Sequence, residues 1–260
     1  MDRINFPISF LRHYFQAGTP HAVHSPFIFE LYNSLLSQKQ YYDFEPFELL
    51  RSALLTVNDR ISVTDFGAGS KAIKSRERKI SDIVKYSEKP KEQVQALFEL
   101  AVALNPKVIV ELGTSLGLTT AYLASVDSRS KVHSFEGCPN TLSLAKSNID
   151  RLEIKNVVFH EGNFDDTLPA FLQQQSQVDF VFFDGNHRYE PTVCYFEWFL
   201  PKVTNQTVFI FDDIHWSKEM EKAWEEIKSH PQVIVSIDFF HFGVIFFKKE
   251  LSRQHFRLKL

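Results

Sequence analysis

The chain has 260 residues, 44% hydrophobic and 23% charged, with a formal net charge of −3 and a pI near 6.4. That length suits one large α/β domain or a medium domain with an appendage, and the charge argues against general attraction to nucleic acid or an anionic membrane. Cys138 and Cys194 are too few for a disulfide framework and lack zinc spacing, so both read as buried reduced thiols of a cytoplasmic protein.

The opening "MDRINFPISFLRHYF" has no uninterrupted apolar stretch of a secretory signal. No later segment approaches the roughly 18 apolar residues of a membrane-spanning helix. Residues 1–90 are rich in aromatic residues and mostly helical in pattern, without regular strand-helix alternation, and are expected to form an N-terminal cap. From residue 91 helices and strands alternate. "KEQVQALFELAVAL" puts Val94, Leu97, Phe98, Ala101 and Leu104 on one helical stripe. "KVIVEL" is a buried strand, followed by a helix over Ser115–Ser125. "KVHSFE", "NVVFHEG", "VDFVFFD" and "TVFIFDD" are the next strands. Helices are expected over Pro139–Leu152, Thr167–Gln175 and Tyr189–Leu200, and one capped by Ser217 follows the last of these strands. "QVIVSIDFFHFGVIFFKK" reads as two strands turning around His241–Gly243. Apolar strands alternating with helices predict a doubly wound, mostly parallel sheet covered on both faces, with one antiparallel strand from that terminal pair.

In such a sheet ligands sit beyond the carboxyl ends of the strands. The first strand-to-helix loop reads E-x-G-x-x-x-G, with Glu111, Gly113 and Gly117. This is not the G-x-G-x-x-G that sets a helix N-terminus against a pyrophosphate. Glu136 ends the next strand, 25 residues after Glu111 (136 − 111), where an acid can accept both ribose hydroxyls of a nucleoside. A ribose acid without a diphosphate loop suggests a nucleoside lacking phosphates, S-adenosylmethionine above all, and ranks a dehydrogenase low. The plain alternatives are an ordinary strand-to-helix turn and an exposed strand-end acid. "DFGAGS" at Asp65–Ser70 also fits a nucleotide loop. The stretch Lys71–Lys91 that follows carries eight Lys/Arg against three acids and no crossover helix to a second strand, so the loop reads as a turn of the cap or a substrate-contacting lid. The basic run reads as a solvated face, since no aromatic platform interleaves with it.

"VELGTSLGLTTAYLA", "VHSFEGCPN", "FHEGNFDDTL", "VDFVFFDGNHRYE" and "VFIFDDIHW" together resemble, in order and spacing, the motifs of class I S-adenosylmethionine-dependent methyltransferases. The nearest look is to small-molecule O-methyltransferases of the catechol and caffeoyl-CoA type, over about residues 91–248. The resemblance implies a seven-stranded sheet with the last strand antiparallel, and a methyltransferase domain over residues 91–260. It places Glu111, Gly113, Thr114, Ser115 and Gly117 around the methionine and ribose, Glu136 on the ribose diol, and Asn163–Phe164 beside adenine. The family often carries an acid where Asn163 stands.

Methyl transfer to oxygen needs an ionised acceptor. Asp184 ends one strand, and Asp212 and Asp213 end the next. The three are expected to hold magnesium or another divalent cation, with Asp184 also counted among the cofactor-binding and catalytic residues. Metal-dependent relatives carry Asp-Asn at the last two positions, where this chain has Asp-Asp. His187 stands where catechol-type enzymes carry a catalytic Lys and is the candidate base, and His215 is a weaker candidate ligand. Helix capping and loop solvation are the plain readings of these groups. The expected partner is a small, fairly apolar acceptor, with no nucleic acid or membrane, and a homodimer by resemblance to small-molecule relatives. Nitrogen- or RNA-directed methylation and a non-catalytic nucleoside-binding protein are the alternatives.

Overall fold

A computed structural model describes residues 6–20, 23–37, 42–67 and 75–260. Helices α1 (Phe6–Gln16), α2 (Pro26–Ser37), α3 (Glu45–Leu55) and α4 (Ile80–Ser87) come first, with a short antiparallel pair, β1 (Arg60–Ser62) and β2 (Glu77–Lys79), between α3 and α4. Strands then alternate with helices: α5 (Lys91–Leu104), β3 (Val108–Leu112), α6 (Leu118–Ala124), β4 (Lys131–Glu136), α7 (Pro139–Arg151), β5 (Val157–Glu161) and α8 (Phe164–Gln174). The remainder is β6 (Phe180–Phe183), α9 (Tyr189–Phe199), β7 (Val208–Asp212), α10 (Lys218–Ser229), β8 (Val235–Asp238), β9 (Phe242–Phe246) and β10 (Gln254–Arg257). The main sheet is mixed and mostly parallel, in the order β10-β8-β9-β7-β6-β3-β4-β5.

That order corrects two expectations. The sheet has eight strands, not seven, because "QHFR" near the C-terminus pairs in parallel with β8. The antiparallel strand is β9, which is therefore not the last. The β8–β9 turn also falls earlier than His241–Gly243. Phe240 takes a left-handed φ of 72° and its amide donates to the Asp238 carboxylate at 2.8 Å, while Gly243 lies inside β9. A β-carbon at Gly243 would meet the Trp224 ring of α10 at 2.5 Å, so that helix can pack on the strand only where the side chain is missing.

The chain divides into two compact units, residues 39–171 and residues 1–38 with 172–260. The expected cap of residues 1–90 is thus shared between them. In the unit of residues 39–171, β3, β4 and β5 are parallel neighbours, with Glu111 opposite Ser134 and Glu136 opposite Glu161. All seven residues of α6 are buried, which is why "LTTAYLA" carries no charge. Val94 and Phe98 of α5, Phe47 of α3 and Tyr122 of α6 form one apolar cluster, each full burial worth about 1.5–3 kcal/mol. In the other unit β6 and β7 are buried at every position and run parallel. Phe183 and Phe211 stack there at 4.3 Å, one use of the 26 phenylalanines. Among the described residues no helix is long and apolar enough to cross a membrane.

Candidate functional site

The loop after β3 bends through three left-handed positions, Gly113 (φ 108°), Ser115 (φ 49°) and Gly117 (φ 81°). The Gly113 and Thr114 amides donate to the Phe135 carbonyl, fastening the loop to the end of β4. Gly117 serves packing as well, because a β-carbon there would lie 3.2 Å from Ala145 of α7. Thr114 turns its hydroxyl inward to Ser134, so this residue presents mainly its backbone to a ligand.

Glu111 lies under the loop with no solvent exposure. Its Oε2 accepts from the hydroxyls of Thr120 and Ser134, while Oε1 is buried without a hydrogen-bond partner. Burial pushes its carboxyl up to about 8, against the pull of the two hydroxyls, and the negative charges of Glu88 and Glu136 add to the rise. A buried acceptor left open costs free energy unless something positive or proton-bearing meets it.

Glu136 closes the other side. Its Oε2 accepts from the Ser115 amide and its Oε1 from the Cys138 amide, both at 2.9 Å. Burial raises its carboxyl, and these amides and the Thr141 hydroxyl oppose the rise. A third carboxylate, Glu88, escaped the sequence reading. Its Oε1 accepts from the Leu116 amide at 3.0 Å, and burial raises its pKa against Leu116, Ser115 and the cations Arg51 and Lys89. In "SEKPKEQ" it looks like one acid in a charged stretch; only the turn between α4 and α5 brings it to the glycine loop. Asn163 and Phe164 follow the left-handed Gly162, whose amide donates to the Glu136 carbonyl. Both are half-buried, and the Asn163 carbonyl receives the Asp166 and Thr167 amides at the start of α8.

In the second unit, parallel pairing of Phe183 with Phe211 brings the strand ends bearing Asp184 and Asp212 side by side. Asp184, His187 and Asp212 each offer a ligand atom within 4.8 Å of the others, a grouping able to receive a metal ion. His187 Nε2 lies 3.7 Å from Asp184 Oδ1. Asp213 is outside this trio: its backbone is left-handed (φ 53°) and its amide donates to the His241 carbonyl. His215 is engaged elsewhere, with Nδ1 3.1 Å from Glu221 and Nε2 3.0 Å from Asp238. Burial lowers its pKa, but those two carboxylates outweigh burial and the net direction is up.

Residues 110–214, which span the glycine loop, Glu136 and Asp184 to Asp213, match the family model described as a methyltransferase domain. The chain holds a methyltransferase domain. Its fold is that of the class I S-adenosylmethionine-dependent enzymes. An O-methyltransferase from Bacillus cereus, solved with S-adenosylhomocysteine, is 22% identical, with a TM-score of 0.54 over 61% of this chain and 82% of that one. A putative caffeoyl-CoA O-methyltransferase from Staphylococcus aureus is 16% identical, with a TM-score of 0.56 over 64% and 88%. The O-methyltransferase TomG from Streptomyces achromogenes, involved in tomaymycin synthesis and solved with S-adenosylmethionine, is 21% identical, with a TM-score of 0.54 over 62% and 81%. No curated protein matches.

Proposed function

We propose that the methyltransferase domain moves the methyl group of S-adenosylmethionine to an oxygen of a small, fairly apolar acceptor. The observation that carries this reading is the convergence of Glu88, Glu111 and Glu136 on one glycine loop, with the burial-raised Glu111 leaving an oxygen unpaired. Arg51 and Lys89 act on Glu88, yet Glu88 and Glu136 still raise Glu111 by repulsion, and a nucleoside bearing a sulfonium and an ammonium relieves it. A dinucleotide would bring phosphates to the same acids.

The cofactor supplies an electrophilic methyl on a positively charged sulfur. Glu136 accepts the ribose hydroxyls, the backbone of residues 113–117 lies along the methionine, Glu111 and Glu88 balance the positive charge, and Asn163 and Phe164 border the base. Holding acceptor and methyl in line contributes about 7–11 kcal/mol of the barrier reduction. A phenol near pKa 10 lies about three units from pH 7, so its ionisation costs about 4 kcal/mol at 1.36 per unit. Asp184 and Asp212 fit a divalent cation by number and chemistry, and a cation there would lower the acceptor's pKa. His187, beside Asp184, takes the proton in the metal-free variant of the same reading and adds a nitrogen to the ligand set in the other. Residues 1–90 serve both units: residues 39–90 deliver Glu88 to the glycine loop, and residues 1–38 belong with the unit holding Asp184 and Asp212.

The test is calorimetry with S-adenosylmethionine, S-adenosylhomocysteine and NAD, followed by mass spectrometry of methylated products from a panel of phenols, carboxylates and RNA. Binding of both sulfur nucleosides and methylation of a small hydroxyl compound are expected. Tight NAD binding, or methylation confined to RNA, overturns the reading.

A further inference from the structure

Three buried side-chain atoms lack a hydrogen-bond partner among the described residues: Glu111 Oε1, Arg51 Nε and Trp224 Nε1. Trp224 lies on α10, in the unit of residues 1–38 and 172–260. The other two share the unit of residues 39–171 and have opposite character. Glu111 leaves an acceptor open and Arg51 a donor, and each costs free energy until a group of the complementary kind meets it. A buried cation with an idle donor, in the unit that carries the glycine loop, calls for an account that a role as counter-charge does not provide.

Packing sets Arg51 beside that loop. Its neighbour Leu50 is buried with Leu54 in one apolar cluster with Leu116 and Leu118, and Phe47 packs with Ala121 and Tyr122. Helix α3 thus lies along the end of the loop and the start of α6. The Tyr122 hydroxyl donates to Glu48 Oε1 at 2.7 Å, and Arg51 Nε stands 3.5 Å from the same oxygen without a hydrogen bond to it. The guanidinium also acts on Glu88, the acid that accepts the Leu116 amide, and Glu88 acts in turn on Glu111. Cations of the basic run are placed otherwise: Arg78 pairs with Asp65 at 3.0 Å, and Arg76 is exposed. Residues 68–74, with Lys71, Lys74 and the end of "DFGAGS", lie outside the described residues.

We infer that Arg51 receives the carboxylate of the cofactor's methionine tail, while Glu111 offers its open oxygen to the positive end. The inference rests on the S-adenosylmethionine reading above. An α-amino acid carries an ammonium and a carboxylate on one carbon, so the site that holds it needs an acceptor and a donor close together. Three glutamates around the glycine loop suit the ammonium and the sulfonium, but they repel the carboxylate. A guanidinium is the side chain best matched to it, since two parallel N–H groups meet the two carboxylate oxygens. The part played by α3 is then chemical as well as structural: it brings to the loop the one charge that the loop's own acids cannot supply.

The experiment is calorimetric titration of four nucleosides into the full chain and into Arg51→Gln and Arg51→Lys. S-adenosylmethionine and S-adenosylhomocysteine carry the carboxylate. Decarboxylated S-adenosylmethionine keeps the sulfonium and the ammonium without it, and 5′-methylthioadenosine lacks the whole amino-acid end. Arg51→Gln is expected to weaken the two carboxylate-bearing nucleosides roughly ten- to a hundredfold and to leave the other two within about threefold. Wild type should therefore prefer S-adenosylmethionine to its decarboxylated form, and Arg51→Gln should lose most of that preference. An Arg51 that only steadies Glu48 and Glu88 would weaken all four alike, and that result overturns the inference. Wild-type affinity for S-adenosylhomocysteine in folded Arg51→Gln overturns it too and leaves the cofactor reading standing. If Arg51→Gln does not fold, Arg51→Lys decides, because it keeps the charge and loses the fork: a wild-type preference for the carboxylate there overturns the inference, and a reduced one supports it. A wild-type chain that binds neither S-adenosylhomocysteine nor 5′-methylthioadenosine overturns the cofactor reading and this inference with it.

Discussion

Binding of S-adenosylmethionine should expel a proton from Glu111. Burial places this carboxyl near 8, so about nine molecules in ten carry the proton at pH 7 and about one in ten at pH 9. A positive charge arriving beside the unpaired Oε1 favours the ionised form and pulls the pKa back down. The release is therefore up to about 0.9 proton per site at pH 7, falling to about 0.1 at pH 9. Calorimetry at pH 7 in buffers of low and high ionisation enthalpy measures it as the slope of observed heat against buffer enthalpy. S-adenosylhomocysteine, lacking the sulfonium charge, should give a smaller slope, and Glu111→Gln should remove most of it. A wild-type slope of zero refutes the reasoning, and an unchanged slope in Glu111→Gln moves the proton to Glu88 or Glu136. The same shift fixes the sign for stability: the folded pKa lies above the ordinary 4.5, so the native state binds the extra proton between those values. The contribution is fully present below about 4.5 and is lost as pH rises through about 8. Urea midpoints of Glu111→Gln should show a flatter pH profile over that window.

Glu136→Gln should weaken adenosine by roughly tenfold, toward the smaller end for a charged acceptor, because the carboxylate already serves Ser115, Cys138 and Thr141 and must give up part of that service to the ribose; unchanged affinity by calorimetry makes Glu136 a structural cap of α7. Chelation should lower turnover and magnesium or manganese restore it, with Asp212→Asn abolishing the restoration. Turnover indifferent to chelation but lost in His187→Ala leaves His187 as a metal-free base, and turnover indifferent to both removes this cluster from the reaction. Ser217→Ala should cost about 1 kcal/mol in urea denaturation, since the Ser217 hydroxyl accepts the Met220 amide at the start of α10; no measurable loss means that water replaces the cap.

The alternation of apolar strands with helices was legible because period and length encode it: β4 falls on "KVHSFE" as read, and β3, β5, β6 and β7 fall within a residue or two of their expected bounds. β10 was not, because "QHFR" alternates exposed and half-buried residues at a sheet edge and carries no apolar run. That Glu111, Gly113, Gly117 and Glu136 lie together was legible, since a loop between two adjacent parallel strands gathers its residues within a short stretch. Glu88 was invisible for the opposite reason, since its place depends on how α4 meets α5. His187 and Asp212 share a cluster although 25 residues separate them (212 − 187), and Asp213, next to Asp212, is turned out of it by a left-handed backbone. Neighbouring residues on a strand end point in different directions, so a doublet of acids in sequence supplies one ligand more readily than two.

The same distinction explains why "DFGAGS" misleads. Read as a string, Asp65 and its glycines compete with Glu111 and its glycines for the role of nucleotide loop. In three dimensions Asp65 is paired with Arg78, and the side chain that packs on the backbone next to Glu136, at Gly137, belongs to Phe66, the residue after Asp65. Its reach depends on Gly137, 71 residues later (137 − 66), where the absence of a β-carbon makes room for the ring. A glycine in a binding loop can thus admit a side chain of its own protein as readily as a ligand. Gly137→Ala tests that packing directly: a β-carbon at 137 would collide with the Phe66 ring, so alanine should displace the ring and lower the urea midpoint, and an unchanged midpoint means that the ring does not depend on the missing β-carbon.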